Sequence, residues 1–315
     1  MSTPFYTWKE RTTYSADDEL AAKEGYNYEW AKGPDNQPTS QNYSLDGNNY
    51  RKTDYSQYSG MSVIDFPMHW NFKTAGGAFG IAKSGDKYYN DATWNVVYVQ
   101  SHDYSPWEAP KDRAYRAPVE EDVWAEDTSF MWTFRGIPCL FYGDEIQFKK
   151  GMEIDIGPTG PLENTGRAYF GDHITGSVKA SDFGVWDNAT GNMANTLNHP
   201  LAKHIQRLNR IRQAIPALQK GQYSVEGVSG DIAFKRRYTD STTDSFVLVT
   251  VSGSATFTGV PNGKYVDAIT GNTINVTSGT LTASCSGKGN ARIYVLDTNL
   301  TPAPGKIGTD GTYLK

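Results

Sequence analysis

Polar and titratable side chains follow directly on apolar runs at three places in the first half of the chain. In residues 95–106 (NVVYVQSHDYSP), the run Val96-Val97-Tyr98-Val99 stops at Ser101-His102-Asp103. In residues 137–142 (IPCLFY) the apolar stretch gives way to Gly143-Asp144-Glu145, and residues 61–70 (MSVIDFPMHW) are a looser version carrying Asp65 and His69. Short, nearly unbroken apolar runs suit strands buried on both faces. In parallel sheets the reacting groups sit at the carboxyl ends of the strands, so three such ends bearing carboxylates or imidazoles point to one site. Each has a plainer reading as well: a His-Asp pair after a strand can fix a loop, and Gly-Asp-Glu can be a turn followed by a helix cap.

These ends need helices to hold them. A short helix is predicted near residues 77–83. A second starts from Pro118, with Glu120, Glu121 and Asp122 at its positive end, Val123, Trp124, Phe130, Met131 and Phe134 as its apolar stripe, and Gly136 as its stop. After a long loop over about 147–198, Leu201, Ile205, Leu208, Ile211 and Ile215 repeat at helical spacing between Pro200 and Pro216. From Gly221 the period switches to two, in about eight short β runs separated by Ser-Gly, Pro-Asn-Gly, Thr-Gly-Asn and Gly-Lys-Gly-Asn turns, which predicts an antiparallel β-sandwich. Residues 1–60 are polar and aromatic-studded; only 17–23 read as helix, and the rest reads as a loop bordering a binding site. The tail 298–315, rich in Pro and Gly, reads as a linker.

A chain of 315 residues holds one large domain and a small one. Its 30 basic and 35 acidic residues, for a formal charge of −5, give no sign of nucleic acid or an anionic membrane as partner. Trp, Tyr and Phe make up 13% of the chain, a share that suits stacking on sugar rings and a packed core alike. Cys139 and Cys285 read as buried free thiols, since neither has a second Cys at ligand spacing. No spanning apolar run and no secretory signal stand in the sequence, which taken literally places the chain in the cytoplasm.

The segments VVYVQSHDYSP and RGIPCLFYGDEI resemble, in order and spacing, the seventh- and eighth-strand motifs of the α-amylase family of glycoside hydrolases (family 13). The resemblance implies an α/β plus all-β fold. Its first part is a partial (β/α)8 TIM barrel, the last three strand-helix units, and an antiparallel β-sandwich domain follows. On that alignment residues 1–60 are the loop-rich segment after the fifth barrel strand, 61–218 the C-terminal part of the barrel, 219–297 the β-domain and 298–315 the tail. Three units do not close a barrel, so the isolated chain is expected to expose apolar surface, fold marginally and aggregate.

The resemblance also implies roles. Asp103 matches the carboxylate that stabilises the oxocarbenium-like transition state, and His102 the neighbouring imidazole that binds the sugar under attack. Arg167, in NTGRAYFGD, matches a loop Arg that meets sugar hydroxyls, although it reads equally as a solvated loop residue. Ser101 departs from the family's usual Asn. Asp65, Asp144 and Glu145 read as structural. The nucleophile Asp and acid Glu, which the family carries on its fourth and fifth strands, have no counterpart, so the chain alone is expected to be inactive.

The implied activity is retaining hydrolysis of internal α-1,4-glucosidic bonds in starch and related α-glucans. A cyclodextrin glucanotransferase-type transglycosylase shares the motifs, a non-catalytic glucan-binding polypeptide is a second alternative, and a hydrolase built on Asp103, Asp144 and Glu145 a third. No metal or cofactor is expected in this chain; calcium is expected in a full-length parent, which would be extracellular and monomeric.

Overall fold

Asp46 and Gly47 have φ of +50° and +75°, the paired left-handed geometry of a two-residue hairpin turn. They join β1 (Gln41–Leu45) to β2 (Asn48–Lys52), in register from Leu45 opposite Asn48 to Gln41 opposite Lys52. Residues 41–52, which read as loop, are therefore a β-hairpin: the Asp-Gly turn signal lies in so polar a stretch that the alternation of its strands is hidden. The computed structural model describes residues 41–53, 62–86, 89, 91–103, 105–107, 115–154, 160–167, 171–182 and 185–315. The helix expected at 17–23 lies outside them.

Three chain segments run parallel in the next region. Val96–Val97 (β3) pairs with Ile137–Pro138 (β4) on one side and bridges to Ile64 on the other. The bonds Asp65 N to Val96 O (2.9 Å), Val96 N to Val63 O (2.8 Å), Ile137 N to Asn95 O (2.8 Å) and Cys139 N to Val97 O (2.8 Å) make the ladder. It is shorter than the apolar runs suggest. Asp65 ends the first segment by capping α1 (Phe66–Asn71), its carboxylate accepting from Met68 N, so that residues 66–71 are helix. Ile64 is 50% and Ile137 39% exposed, while Val97 and Val99 are buried. Cys139, expected to be buried, is exposed on this same short ladder.

Helix α2 (Ala75–Gly85) begins where the Thr74 hydroxyl accepts from Gly77 N. Helix α3 (Glu121–Thr133) carries Glu121 and Asp122 in its first turn, as its charge pattern predicts, but Pro118 lies ahead of its N-cap Glu120 and not at its first position. Its last carbonyls are collected by two cations, the half-buried Arg212 and the fully buried Arg236. Arg212 donates to the carbonyls of Trp132, Phe134 and Gly136, and Arg236 to those of Thr133 and Phe134. Positive charge at the negative end of a helix satisfies orphan carbonyls and offsets the macrodipole. The chain then turns into β4 at Gly136, φ +103°, where a Cβ would lie 2.4 Å from Val97 Cγ2.

The expected long loop over 147–198 holds a hairpin of β5 (Lys179–Asp182) and β6 (Val185–Asp187) and the helix α4 (Gly191–Asn198). Helix α5 (Pro200–Ala214) starts on Pro200 and buries Leu201, Ile205, Leu208 and Ile211, and α6 (Pro216–Lys220) follows at once. No helix among the described residues is long and apolar enough to cross a membrane.

Among the described residues, 222–296 form nine strands in two antiparallel sheets. The six-stranded sheet runs β13 (Thr273–Val276), β12 (Gly263–Asp267), β15 (Ala291–Leu296), β10 (Asp244–Val251), β9 (Ala233–Thr239), β7 (Gln222–Ser224). The three-stranded sheet runs β14 (Thr280–Ala283), β11 (Ala255–Thr258), β8 (Val228–Ser229). Phe246, Leu248, Tyr265 and Leu296 of the larger sheet share a core with Phe257 and Leu281 of the smaller. The other face of the larger sheet, through Phe234, Val247, Val249, Ile293 and Val295, belongs to the same core as Phe79 of α2, Phe130 of α3 and Leu208 of α5.

Residues 298–315 do not behave as a linker. Leu314 is fully buried, and Arg207 of α5 donates to the carbonyls of Ile307, Leu314 and Ile269 and pairs with Asp310. Composition reports Pro and Gly in this tail but not the carbonyls that a buried guanidinium recruits.

His204 of α5 is buried against α3, its Nε2 3.0 Å from Ala125 O and 3.1 Å from Ser129 Oγ. Burial pushes its pKa down to about 4. The unfolded chain takes up this proton near pH 6.5 and the folded chain only near 4, so the unfolded state binds more protons in between and stability falls on acidification across that window. The loss is roughly 3 kcal/mol. Urea unfolding between pH 7 and 4 is expected to show it, and His204→Gln to remove most of this pH slope.

Candidate active site

Two adjacent parallel strand ends and one later loop make the site. Beyond β3 the chain runs through buried Val99 and Gln100, whose Oε1 accepts from Ala117 N, before emerging at Ser101-His102-Asp103. The Ser101 hydroxyl accepts from Asp103 N at 3.1 Å, a local side-chain turn that sets the backbone of the pair. His102 Nε2 lies 3.2 Å from Asp103 Oδ1, with the two side chains 64% and 54% exposed. Both groups are open to a ligand approaching the strand ends.

Arg167 arrives from the loop after β4. Its guanidinium donates twice to His102 O, at 2.8 and 3.2 Å, and stands 3.7 Å from Asp103 Oδ1. The Tyr142 hydroxyl, just past β4, donates to Arg167 O at 3.1 Å. The His102 ring faces Phe141 across 6.5 Å. His102, Asp103 and Arg167, far apart in sequence, thus meet at one place: an imidazole, a carboxylate and a guanidinium with aromatic rings beside them. Such a set can hydrogen-bond vicinal hydroxyls and hold negative charge beside a developing cation.

Behind this surface stands Arg116, which no spacing in the sequence singles out. It is fully buried, donates to Gly166 O (3.0 Å) and Tyr142 O (2.6 Å), and pairs with Asp144 at 3.1 Å. Its guanidinium lies 4.0 Å from the centre of the Phe141 ring. One side chain therefore ties the backbone next to Arg167 to the end of β4.

Asp144 is consumed in that pair. Burial raises its pKa well above the usual carboxylate range, with Arg116 pulling the other way, and its backbone carbonyl accepts from Trp124 Nε1 at 3.0 Å. Asp65, besides capping α1, accepts from Asn95 Nδ2 and pairs with Arg135, which also grips Asp86. His69 is buried, stacked on Tyr98 at 4.3 Å with Nδ1 3.1 Å from Val99 O. Asp65, His69 and Asp144 thus serve the frame and lie inside it, while His102, Asp103 and Arg167 lie on its surface. Among the described residues no group of three or more His, Cys, Asp or Glu could hold a metal ion.

No family model matches the sequence. A β/α-amylase of Paenibacillus polymyxa is 22% identical over 251 residues, 75% of this chain and 18% of that protein. A cyclomaltodextrin glucanotransferase of Niallia circulans is 22% identical over 274 residues, 81% of this chain and 33% of its own length. Over part of their length, the chain is similar to proteins of the α-amylase family. It spans about a fifth to a third of the curated relatives that it matches. Among solved structures, an α-amylase of Geobacillus thermoleovorans complexed with acarbose is 15% identical, with 78% of this chain and 49% of that one covered at a TM-score of 0.47. The two strand-end segments that carry the resemblance are the ones bearing His102, Asp103 and the Tyr142 contact to Arg167.

Proposed function

We propose that the chain is part of a retaining α-amylase-type glycosidase that cleaves internal α-1,4 bonds of starch-like glucans. The observation that carries this reading is the convergence of His102, Asp103 and Arg167 at the ends of two adjacent parallel strands. Retaining hydrolysis needs a nucleophilic carboxylate and a protonated acid about 5 Å apart, with positive charge building on the sugar ring between them. Asp103 would stabilise that charge, and His102 and Arg167 would bind hydroxyls of the ring. The nucleophile and acid would come from barrel strands outside these residues. The exposed Ile64 and Ile137 support that arrangement, because further strands of a (β/α)8 barrel would cover them. On this reading residues 61–218 are the last part of the barrel and 219–297 the C-terminal β-domain.

A transglycosylase has equal support, since the glucanotransferase matches this chain at the same 22% identity as the amylase. Both readings require a glucan at the same strand ends. Titrating the isotope-labelled 315-residue chain with maltohexaose is expected to shift the His102 ring and Arg167 side-chain resonances saturably, and His102→Ala to abolish the response. Silence of these residues at ~10 mM sugar, where even weak sites fill, would overturn the proposal.

A further inference from the structure

A second cleft, away from these strand ends, collects aromatic faces and positive charge. Tyr43 of β1, Trp94 and Tyr238 of β9 line a cavity of about 360 Å³ together with Arg51 and Lys52 of β2 and Lys220 of α6. That size is within the range of small-molecule sites. All three rings are partly exposed. Trp94 sits in the 3-10 turn Ala92–Trp94 ahead of β3, whereas Asp103 follows β3, so the cleft lies at the opposite end of that strand from the candidate active site.

The walls are built. Asp91 caps the turn that carries Trp94, accepting from Thr93 N at 3.1 Å, and also accepts from Gln222 Nε2 of β7 at 3.0 Å. The β1–β2 hairpin is clipped to the sheet by Arg237, which pairs with Asp46 in the hairpin turn and with Asp244 of β10, and by Lys235, which donates to buried Asn48. Arg51 spans to the other side, donating to Tyr89 O at 3.2 Å.

Cations outnumber anions at the cleft, where the Tyr238 hydroxyl donates to Asp240 at 2.9 Å just outside the lining. Arg237 reaches the cleft but is balanced by its two carboxylates. Among the described residues the lining contains no Asp or Glu, while Lys52 and Lys220 are exposed there, the Lys220 ammonium 5.4 Å from the centre of the Tyr238 ring. Flat aromatic faces suit the apolar faces of sugar rings. A neutral sugar makes no use of a surplus of cations, whereas an anionic substituent does.

We propose that this cleft binds a glucose oligosaccharide bearing a phosphate ester, its rings against Trp94, Tyr43 and Tyr238 and its phosphate between Lys52 and Lys220. That the sugar is a glucan rests on the functional reading above; the preference for an anion does not. Calorimetry on the 315-residue protein, with the Trp94 indole resonance as local reporter, is expected to find 6-phosphomaltohexaose at least about tenfold tighter than maltohexaose. Raising salt from ~0.02 to ~0.3 M should weaken the phosphorylated sugar alone. Trp94→Ala should abolish binding; because it also removes packing, the exposed pair Lys52→Glu/Lys220→Glu is the decisive variant and should erase the preference.

Equal affinity for the two sugars, or a preference that survives the double charge reversal, overturns the site. Inorganic phosphate or ATP binding as tightly as the phosphorylated sugar overturns the saccharide assignment. A chain that shows His102-dependent maltohexaose binding but no phosphate preference loses this site alone. Phosphosugar binding at Trp94 with silence at His102 and Arg167 instead removes the functional reading and leaves this site standing.

Discussion

Arg135→Met is expected to destabilise the protein by about 3–5 kcal/mol, the usual cost of removing one partner from a buried ion pair. Arg135 lies between Asp65 and Asp86 with all three side chains buried, and its guanidinium is the cation that both carboxylates share. Burial alone would lower the Arg135 pKa, but the two carboxylates outweigh it and raise it; burial pushes Asp86 upward despite the pairing. The links are also mechanical. Asp65 caps α1 and accepts from Asn95, and Asp86 stands at the end of α2, so the one Arg joins the first parallel segment, β3 and two helices. Removing it leaves two buried carboxylates without the cation they share, a cost that proton uptake relieves. The variant should therefore lose more stability at pH 7 than at pH 5, because the folded state of the mutant then binds protons that the unfolded state releases. Adding Asp65→Asn and Asp86→Asn should recover much of the loss. Urea midpoints for the single and triple variants at both pH values measure this, and a single variant within 1 kcal/mol of the parent (~1 kcal/mol being the effect of an ordinary substitution) would contradict it.

The parts of the molecule legible in the sequence are those where one residue type repeats with a period or changes abruptly. The Leu201-Ile205-Leu208-Ile211 stripe, the period-two runs after Gly221 and the apolar-to-polar steps at Ser101 and Gly143 all appear as helix, strands and strand ends. What stayed illegible is the work of buried cations. Arg116, Arg135, Arg207, Arg212 and Arg236 read as surface charge by type, yet each is largely buried because it finds carbonyls or carboxylates remote in sequence. A guanidinium with five donors in a plane can close several loose chain ends at once, and no local pattern announces that. The same blindness hid the packing of residues 298–315, whose carbonyls Arg207 collects.

The candidate site divides along the same line. His102 and Asp103 could be named from the step in polarity after β3 and the resemblance, and Ser101, in place of the usual Asn, still supplies a local acceptor for the Asp103 amide. The contact of Arg167 with His102 O needed the fold, because 65 residues separate them. Arg116 needed it more, being the buried strut that joins Gly166, Tyr142 and Asp144 beneath Arg167. The exposed trio thus rests on a charged, buried layer whose members have no surface to offer a sugar.

On the proposed reading, Asp103→Asn in an enzyme that also supplies the nucleophile and acid carboxylates is expected to lower kcat by at least about 10²–10³-fold with little change in KM, the pattern of a group whose interaction matters chiefly in the transition state. The substitution keeps the shape of the side chain, and the Ser101 bond to the backbone amide of residue 103 is untouched, so the turn should survive. On that reading, what goes is the negative charge beside the ring as it becomes oxocarbenium-like. Two further readouts separate this from a structural defect. A carboxylate near the general acid raises that acid's pKa, so its loss should move the alkaline limb of the kcat profile to lower pH. Asp144→Asn, which disturbs the buried pair with Arg116, should lower the unfolding midpoint and leave the pH profile in place. If Asp103→Asn instead retained activity within about threefold, a loss too small for a charge facing the reacting ring, the carboxylate would be a loop anchor for His102 and Arg167, and the glycosidase reading would lose the residue on which it turns.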